Sequence, residues 1–113
     1  MLDSIKFIDG GITAAKGFTA SGYNCGIKAG RTKNDTALVY SEKLCNASGV
    51  FTRNIVKAES VKYTQQILKN GKAQAAIVNV GYANACTGEQ GAQVAKKMAI
   101  AAANALNINP DDV

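Results

Sequence analysis

The chain contains no histidine and no tryptophan, a single proline and only three cysteines. Without histidine it cannot build a Ser-His-Asp triad or a Cys-His dyad from its own residues. Zinc sites that use imidazole are excluded too, and Cys25, Cys45 and Cys86 lie too far apart, with no CxxC pair, to make a cage alone. No metal site and no bound cofactor are expected. Any nucleophile here would need a lysine, a carboxylate or an α-amino group as its base. An odd count of scattered cysteines fits a reduced, cytoplasmic protein with small apolar cysteines rather than a disulfide scaffold. Long apolar runs are also missing: the longest, 98–103, is far too short to cross a bilayer, and no signal peptide is visible, so no membrane role is expected. The net charge of +5 is spread along the sequence, with Lys96-Lys97 the one adjacent basic pair. Nucleic-acid binding would need a basic stripe interleaved with aromatics, which is absent. Solvated lysines on outer faces are the expectation instead.

What is present suits one domain, or part of one: 113 residues, 47% hydrophobic and 19% charged. With only four tyrosines and three phenylalanines, alanine and glycine must carry much of the packing. The sequence is organised around Ile77-Val78-Asn79-Val80-Gly81-Tyr82-Ala83-Asn84-Ala85-Cys86-Thr87-Gly88-Glu89-Gln90-Gly91. This stretch runs from an apolar strand through small polar residues into a helix start, where α/β proteins place ligands.

Along the chain, alternation predicts strands over 4–8, 22–28, 36–41 and 47–52, joined as an antiparallel meander because the connections are too short for helical crossovers. Residues 13–21 read as a loop and 29–35 as an exposed polar turn. The 57–70 region is ambiguous; a helix over 60–69, stopped by Asn70-Gly71, is preferred to a strand beginning at Ser60. A buried strand over 74–79 follows. The strongest element is a helix over 88–106, with Thr87 as N-cap, Gln90 completing a capping box and Glu89 at the positive helix end. Gly91, Val94, Met98, Ala101 and Ala105 are expected to face the sheet, with Lys96 and Lys97 pointing away. Val113 reads as the first residue of a further strand, so the 113 residues are expected to be an incomplete domain.

Four ordered blocks make the sequence recognisable: Gly11-Ile12-Thr13-Ala14-Ala15-Lys16-Gly17-Phe18, Cys25-Gly26-Ile27-Lys28, the twelve residues 47–58, and 79–91. In these it resembles the amino-terminal part of the α chain of the ornithine acetyltransferase family, also called bifunctional glutamate N-acetyltransferase. The family pattern Asn-Ser-Gly-Asn-Ala-Asn-Ala-Cys-Thr-Gly-Glu-Gln-Gly is kept except that Val80 replaces the serine and Tyr82 the first inner asparagine. Hydrogen bonds those two groups make in relatives are not carried over.

The resemblance implies a partial α/β sandwich of the self-processing type, mainly antiparallel strands with one long packing helix over about 88–106. It implies an arginine-biosynthesis enzyme that moves acetyl from N-acetylornithine to glutamate; some relatives also accept acetyl-CoA. The family precursor cuts itself before a threonine, whose hydroxyl becomes the nucleophile and whose new amino group serves as base, so no imidazole is needed. The implied partners are those small molecules, the remainder of the α chain, and the β chain of the same precursor, in a hetero-oligomer. The nucleophile's Thr-Met-Leu context does not occur here, and the oxyanion Thr-Gly belongs to a segment matching beyond Val113. No catalytic residue is therefore assigned. Asn79, Gly81, Asn84, Thr87 and Gly88 are the substrate-binding candidates, although asparagine, glycine and threonine there serve equally as turn and cap scaffolding. Lys16, Lys28 and Lys57 could meet an acidic substrate or simply be solvated. A non-catalytic module that holds a small anion or acyl donor at the Thr87-Gly88 helix start is the other function class left open.

Overall fold

An alternating segment becomes a strand only where it finds a partner, and three segments do so. The computed structural model describes residues 4–113. In it, β1 (Phe18–Tyr23), β2 (Thr36–Asn46) and β3 (Lys72–Asn79) form an antiparallel sheet in the order β1-β2-β3. Phe18 pairs with Ser41 and Tyr23 with Thr36; on the other side of β2, Thr36 pairs with Asn79 and Tyr40 with Ala75. Helix α1 (Glu59–Ile67) connects β2 to β3, and α2 (Gly88–Leu106) follows β3. The fold is thus mixed α/β, with mainly antiparallel strands and one long helix.

The strand expected at 4–8 is not formed: residues 5–8 have no ladder, and Phe7 is 94% exposed. Alternation was present, but no neighbouring strand edge meets it. The strand expected over 22–28 lies earlier, inside the stretch read as a loop, and ends at Tyr23. Asn24 and Asp35 explain why, since they draw the next amides out of the ladder: Gly26 N–H donates to Asn24 Oδ1, and Cys25 and Ile27 N–H donate to the Asp35 carboxylate. Asp35 is therefore buried, not part of an exposed turn. Residues 47–52 form no strand: the Ala47 N–H still donates to the Gly71 carbonyl at 2.8 Å, but the ladder ends there and Val50 is fully exposed.

The strand at 36–41 was read too short. It continues to Asn46 through a bulge between Tyr40 and Cys45, where Gln74 Nε2 donates to the Ser41 carbonyl at 3.2 Å. The ambiguous region resolves as α1 followed by a 3-10 turn, Leu68–Asn70, and Gly71 stops it at φ 70° as expected. β3 starts two residues before its expected limit, and only one of its faces is covered. Ala75 is buried, whereas Ala76 and Val78 on the opposite face are exposed, because both helices lie on one side.

Helix α2 has the expected limits, but its buried face is rotated. Gly91, Ala95, Ala99, Ala102 and Ala103 are buried, Met98 is half-buried, and Val94, Ala101 and Ala105 are exposed. The alanine stripe is the face turned to α1 and β3, where Ala95 and Ala99 line a cavity with Tyr63, Ile67 and Ala75. Lys96 and Lys97 do point outward. Asn107, at φ 54°, ends the helix, and the 3-10 turn Pro110–Asp112 leads to Val113.

Candidate functional site

The motif stretch leaves β3 at Asn79 and reverses at Gly81, where φ is 98°. Two further left-handed residues, Cys86 at φ 57° and Gly88 at 60°, bend it into α2. An L-residue in that region costs about 1–2 kcal/mol, so Cys86 must be held by its surroundings. The holding contacts are visible. Ala85 bridges Ala58, and the Glu59 N–H that opens α1 donates to the Asn84 carbonyl at 3.0 Å. Glu59 is itself buried and accepts from Lys62 Nζ at 2.6 Å. The loop is thus stitched to the first turn of α1.

Within the loop, Asn84 is the hub. Its Nδ2 donates to the Gly91 carbonyl at 3.2 Å, and its Oδ1 accepts from Thr87 Oγ1. Thr87 occupies the N-cap position of α2, but its side chain accepts no helix amide, so the expected capping box is not formed. Its hydroxyl is spent on Asn84 instead, and Gln90 turns to the cleft described below. A side chain at Gly91 would collide with both Thr87 Oγ1 and Asn84 Oδ1. Gly91 is the space that lets the hub close.

These elements enclose a cleft of about 390 Å³. Asn79, Tyr82, Ala83, Asn84 and Thr87 form one wall, Ser60 of α1 and Ala58 just before it another, and Gln90, Gly91, Val94, Ala95 and Met98 of α2 the floor. Of the five candidates, Asn79, Asn84 and Thr87 line it. Gly81 and Gly88 do not; they shape the turn from outside. No lining residue is an acid, a lysine or an arginine. Amide and hydroxyl groups over an apolar floor can hold a small polar molecule with an aliphatic part. The Thr87 hydroxyl donates to the Asn84 carboxamide and not to a base.

The candidate lysines stand outside this cleft. Lys16 is exposed, and Lys57 Nζ donates weakly to the Thr52 carbonyl at 3.5 Å. The stem of Lys28 lies across Gly81, where a Cβ would meet its Cγ and Cε at 3.4 Å. All three cysteines are free; Cys25 and Cys86 are exposed and Cys45 is half-buried. Among the described helices none is long and apolar enough to cross a membrane.

Asp35 was missed as part of the site's support. Its Oδ1 accepts the Cys25 amide and its Oδ2 the Ile27 amide, both at 2.8 Å, with Thr36 Oγ1 at 3.2 Å. The Cys25 amide bond, outweighing burial, holds its carboxyl below the ordinary value. The available signal was a carboxylate next to a strand start, opposite a glycine turn that needs acceptors.

Known proteins with this architecture share its sequence. The family model of the ArgJ family matches residues 19–113. The arginine biosynthesis bifunctional protein ArgJ of Caldanaerobacter subterraneus subsp. tengcongensis is 51% identical over 109 residues, 96% of this chain and 27% of its own length. That of Gloeobacter violaceus is 48% identical over the same shares. The chain therefore spans about a quarter of the length of the curated relatives it matches. Among solved structures, ArgJ of Bacillus halodurans superposes with a TM-score of 0.86 at 39% identity, over 92% of this chain and 54% of that one. Ornithine acetyltransferase of Mycobacterium tuberculosis, in complex with ornithine, gives 0.86 at 45% identity, over 91% and 56%. Fold, motif stretch and relatives agree, and the chain belongs to the ArgJ family.

Proposed function

We propose that this chain is the amino-terminal segment, an incomplete domain, of a cytoplasmic arginine-biosynthesis acetyltransferase that moves acetyl from N-acetylornithine to glutamate through an acyl-threonine. Acetyl-CoA is a second candidate donor. The segment supplies a binding wall, with Asn79, Asn84 and Thr87 facing the amino-acid substrate and Gly81 and Gly88 setting the turn. The remainder of the α chain and a β chain of the same precursor supply the nucleophile and the oxyanion donors. The observation that carries this reading is the cleft itself: it is built from the most recognisable stretch of the sequence and is lined by no carboxylate, lysine or arginine. A wall so poor in charged groups fits one part of a shared site. The short share of the relatives' length supports it as well.

The test compares two proteins in one acetyl-transfer assay from N-acetylornithine to glutamate. The 113-residue chain alone is expected to give no transfer above background, and the protein read through from the adjacent coding sequence is expected to be active. Transfer by the short chain would contradict the shared-site reading. An inactive long protein, properly folded, would sink the acetyltransferase assignment.

A further inference from the structure

Asn79 and Tyr82 reach the cleft from either side of Val80-Gly81, so whatever fixes those two residues fixes the wall. Asn79 ends the ladder opposite Thr36, and the segment beyond it is held from outside the cleft. The Val80 N–H donates to the Asp35 carbonyl at 2.8 Å, and the Lys28 stem lies over Gly81, where an added Cβ would meet it at 3.4 Å. Lys28 in turn follows the loop whose Cys25 and Ile27 amides end on the two Asp35 carboxylate oxygens. The Asp35 N–H donates to the Tyr23 carbonyl at 3.1 Å, which anchors the residue to the end of β1. One residue thus joins the β1 end, the 24–31 loop and the exit of β3.

We propose that Asp35 is a positioning residue for the amino-acid cleft, holding the turn that leads from Asn79 to Tyr82 through Val80, Gly81 and the Lys28 stem. This role rests on the cleft being the substrate wall. A carboxylate is the side chain suited to it, because two amide N–H groups need two acceptor oxygens on one short stem. Asparagine keeps the shape but offers one acceptor, and its NH2 faces an amide donor. The loop then loses one anchor while the backbone bond to Val80 can persist. Lys28 loses its register over Gly81, and the two wall residues lose their support without any change to their own chemistry.

The experiment uses the whole acetyltransferase that carries this segment, as wild type, Asp35→Asn and Thr36→Val. Asp35→Asn is expected to raise KM for N-acetylornithine about tenfold, the size of one hydrogen bond to a charged group, with kcat nearly unchanged because binding and not chemistry is disturbed. Hydrogen exchange is expected to quicken across 25–28 and 79–83 while the amides of 95–103 keep their protection. Thr36→Val, which removes only the 3.2 Å contact, should match wild type in both respects. Unchanged KM and unchanged exchange at 79–83 in Asp35→Asn would overturn the proposal. So would a uniform loss of protection that includes 95–103, since that would make Asp35 a general fold anchor. If the wild-type protein transfers no acetyl at all, the cleft reading fails by itself, and the exchange pattern still decides whether Asp35 governs 79–83.

Discussion

At the residue scale, the motif stretch works by leaving things out. A glycine inside a helix normally weakens it, and replacement by alanine should add about 1 kcal/mol. At Gly91 the sign reverses, because the new Cβ would strike Thr87 Oγ1 and Asn84 Oδ1 at once. Forced overpacking of that kind costs about 1–3 kcal/mol, and the Asn84 hub must open to relieve it. Gly91→Ala is therefore expected to lower stability and to speed exchange in the first turn of α2, whereas Ala101→Gly, at an exposed position of the same helix, shows the ordinary helix penalty. Native-state hydrogen exchange on both variants checks the contrast; a stabilised Gly91→Ala would contradict the hub. The position was legible in the sequence as part of a block, but its reason was not. Spacing alone points to a Thr87–Gln90 capping box, whereas the hydroxyl donates to Asn84, three residues back.

At the element scale, legibility followed the source of each element's stability. Helix α2 and the stop of α1 at Gly71 are set by local signals, and both were readable. The strands depend on partners distant in sequence, so 4–8 and 47–52 carried the pattern of strands without becoming any, while β1 formed inside a supposed loop. Helical spacing alone does not separate the alanine stripe of α2 from its larger apolar neighbours; the approach of α1 and β3 to one face of the helix decides which is buried. This approach also sets the surroundings of Tyr63 on α1. Burial first, and the nearby Asp111 carboxylate second, push its phenol above the ordinary tyrosine value. A group whose folded-state pKa is raised contributes stability that is complete below its unfolded pKa, about 10, and lost as pH rises through the folded value. Docking of the Pro110–Asp112 turn and α1 should thus weaken in alkali. Tyr63→Phe is expected to flatten this alkaline limb in unfolding measured against pH. An unaltered limb would mean that the phenol does not ionise against Asp111.

At the scale of the whole molecule, surface decides what the 113 residues can do alone. A folded chain of this mass ordinarily exposes about 5,900 Å², but this one exposes 8629 Å². Its radius of gyration is 15.6 Å, against about 13 Å for a self-contained domain of equal length. The buried apolar side chains among the described residues are alanines alone, while Phe7, Val50 and Ile55 are almost wholly exposed. Alanine burial returns little, since transfer free energy scales at about 25 cal/mol per Å² of apolar area, and ordering each residue costs about 1–2 kcal/mol. The apolar surface is displaced to the outside, on the open face of β3 and along the extended segments at 5–8 and 50–56. Such surface demands a cover. The isolated chain is expected to bind a hydrophobic dye, to unfold over a broad range and to sediment as associated species, whereas the protein read through from the adjacent coding sequence should bind no dye and unfold sharply. A monomeric 113-residue chain with a steep unfolding transition would show that alanine packing suffices after all. The same comparison bears on the proposed shared site, because a cleft lined by no carboxylate, lysine or arginine and a chain whose buried apolar side chains are alanines would both be completed by further segments of the protein.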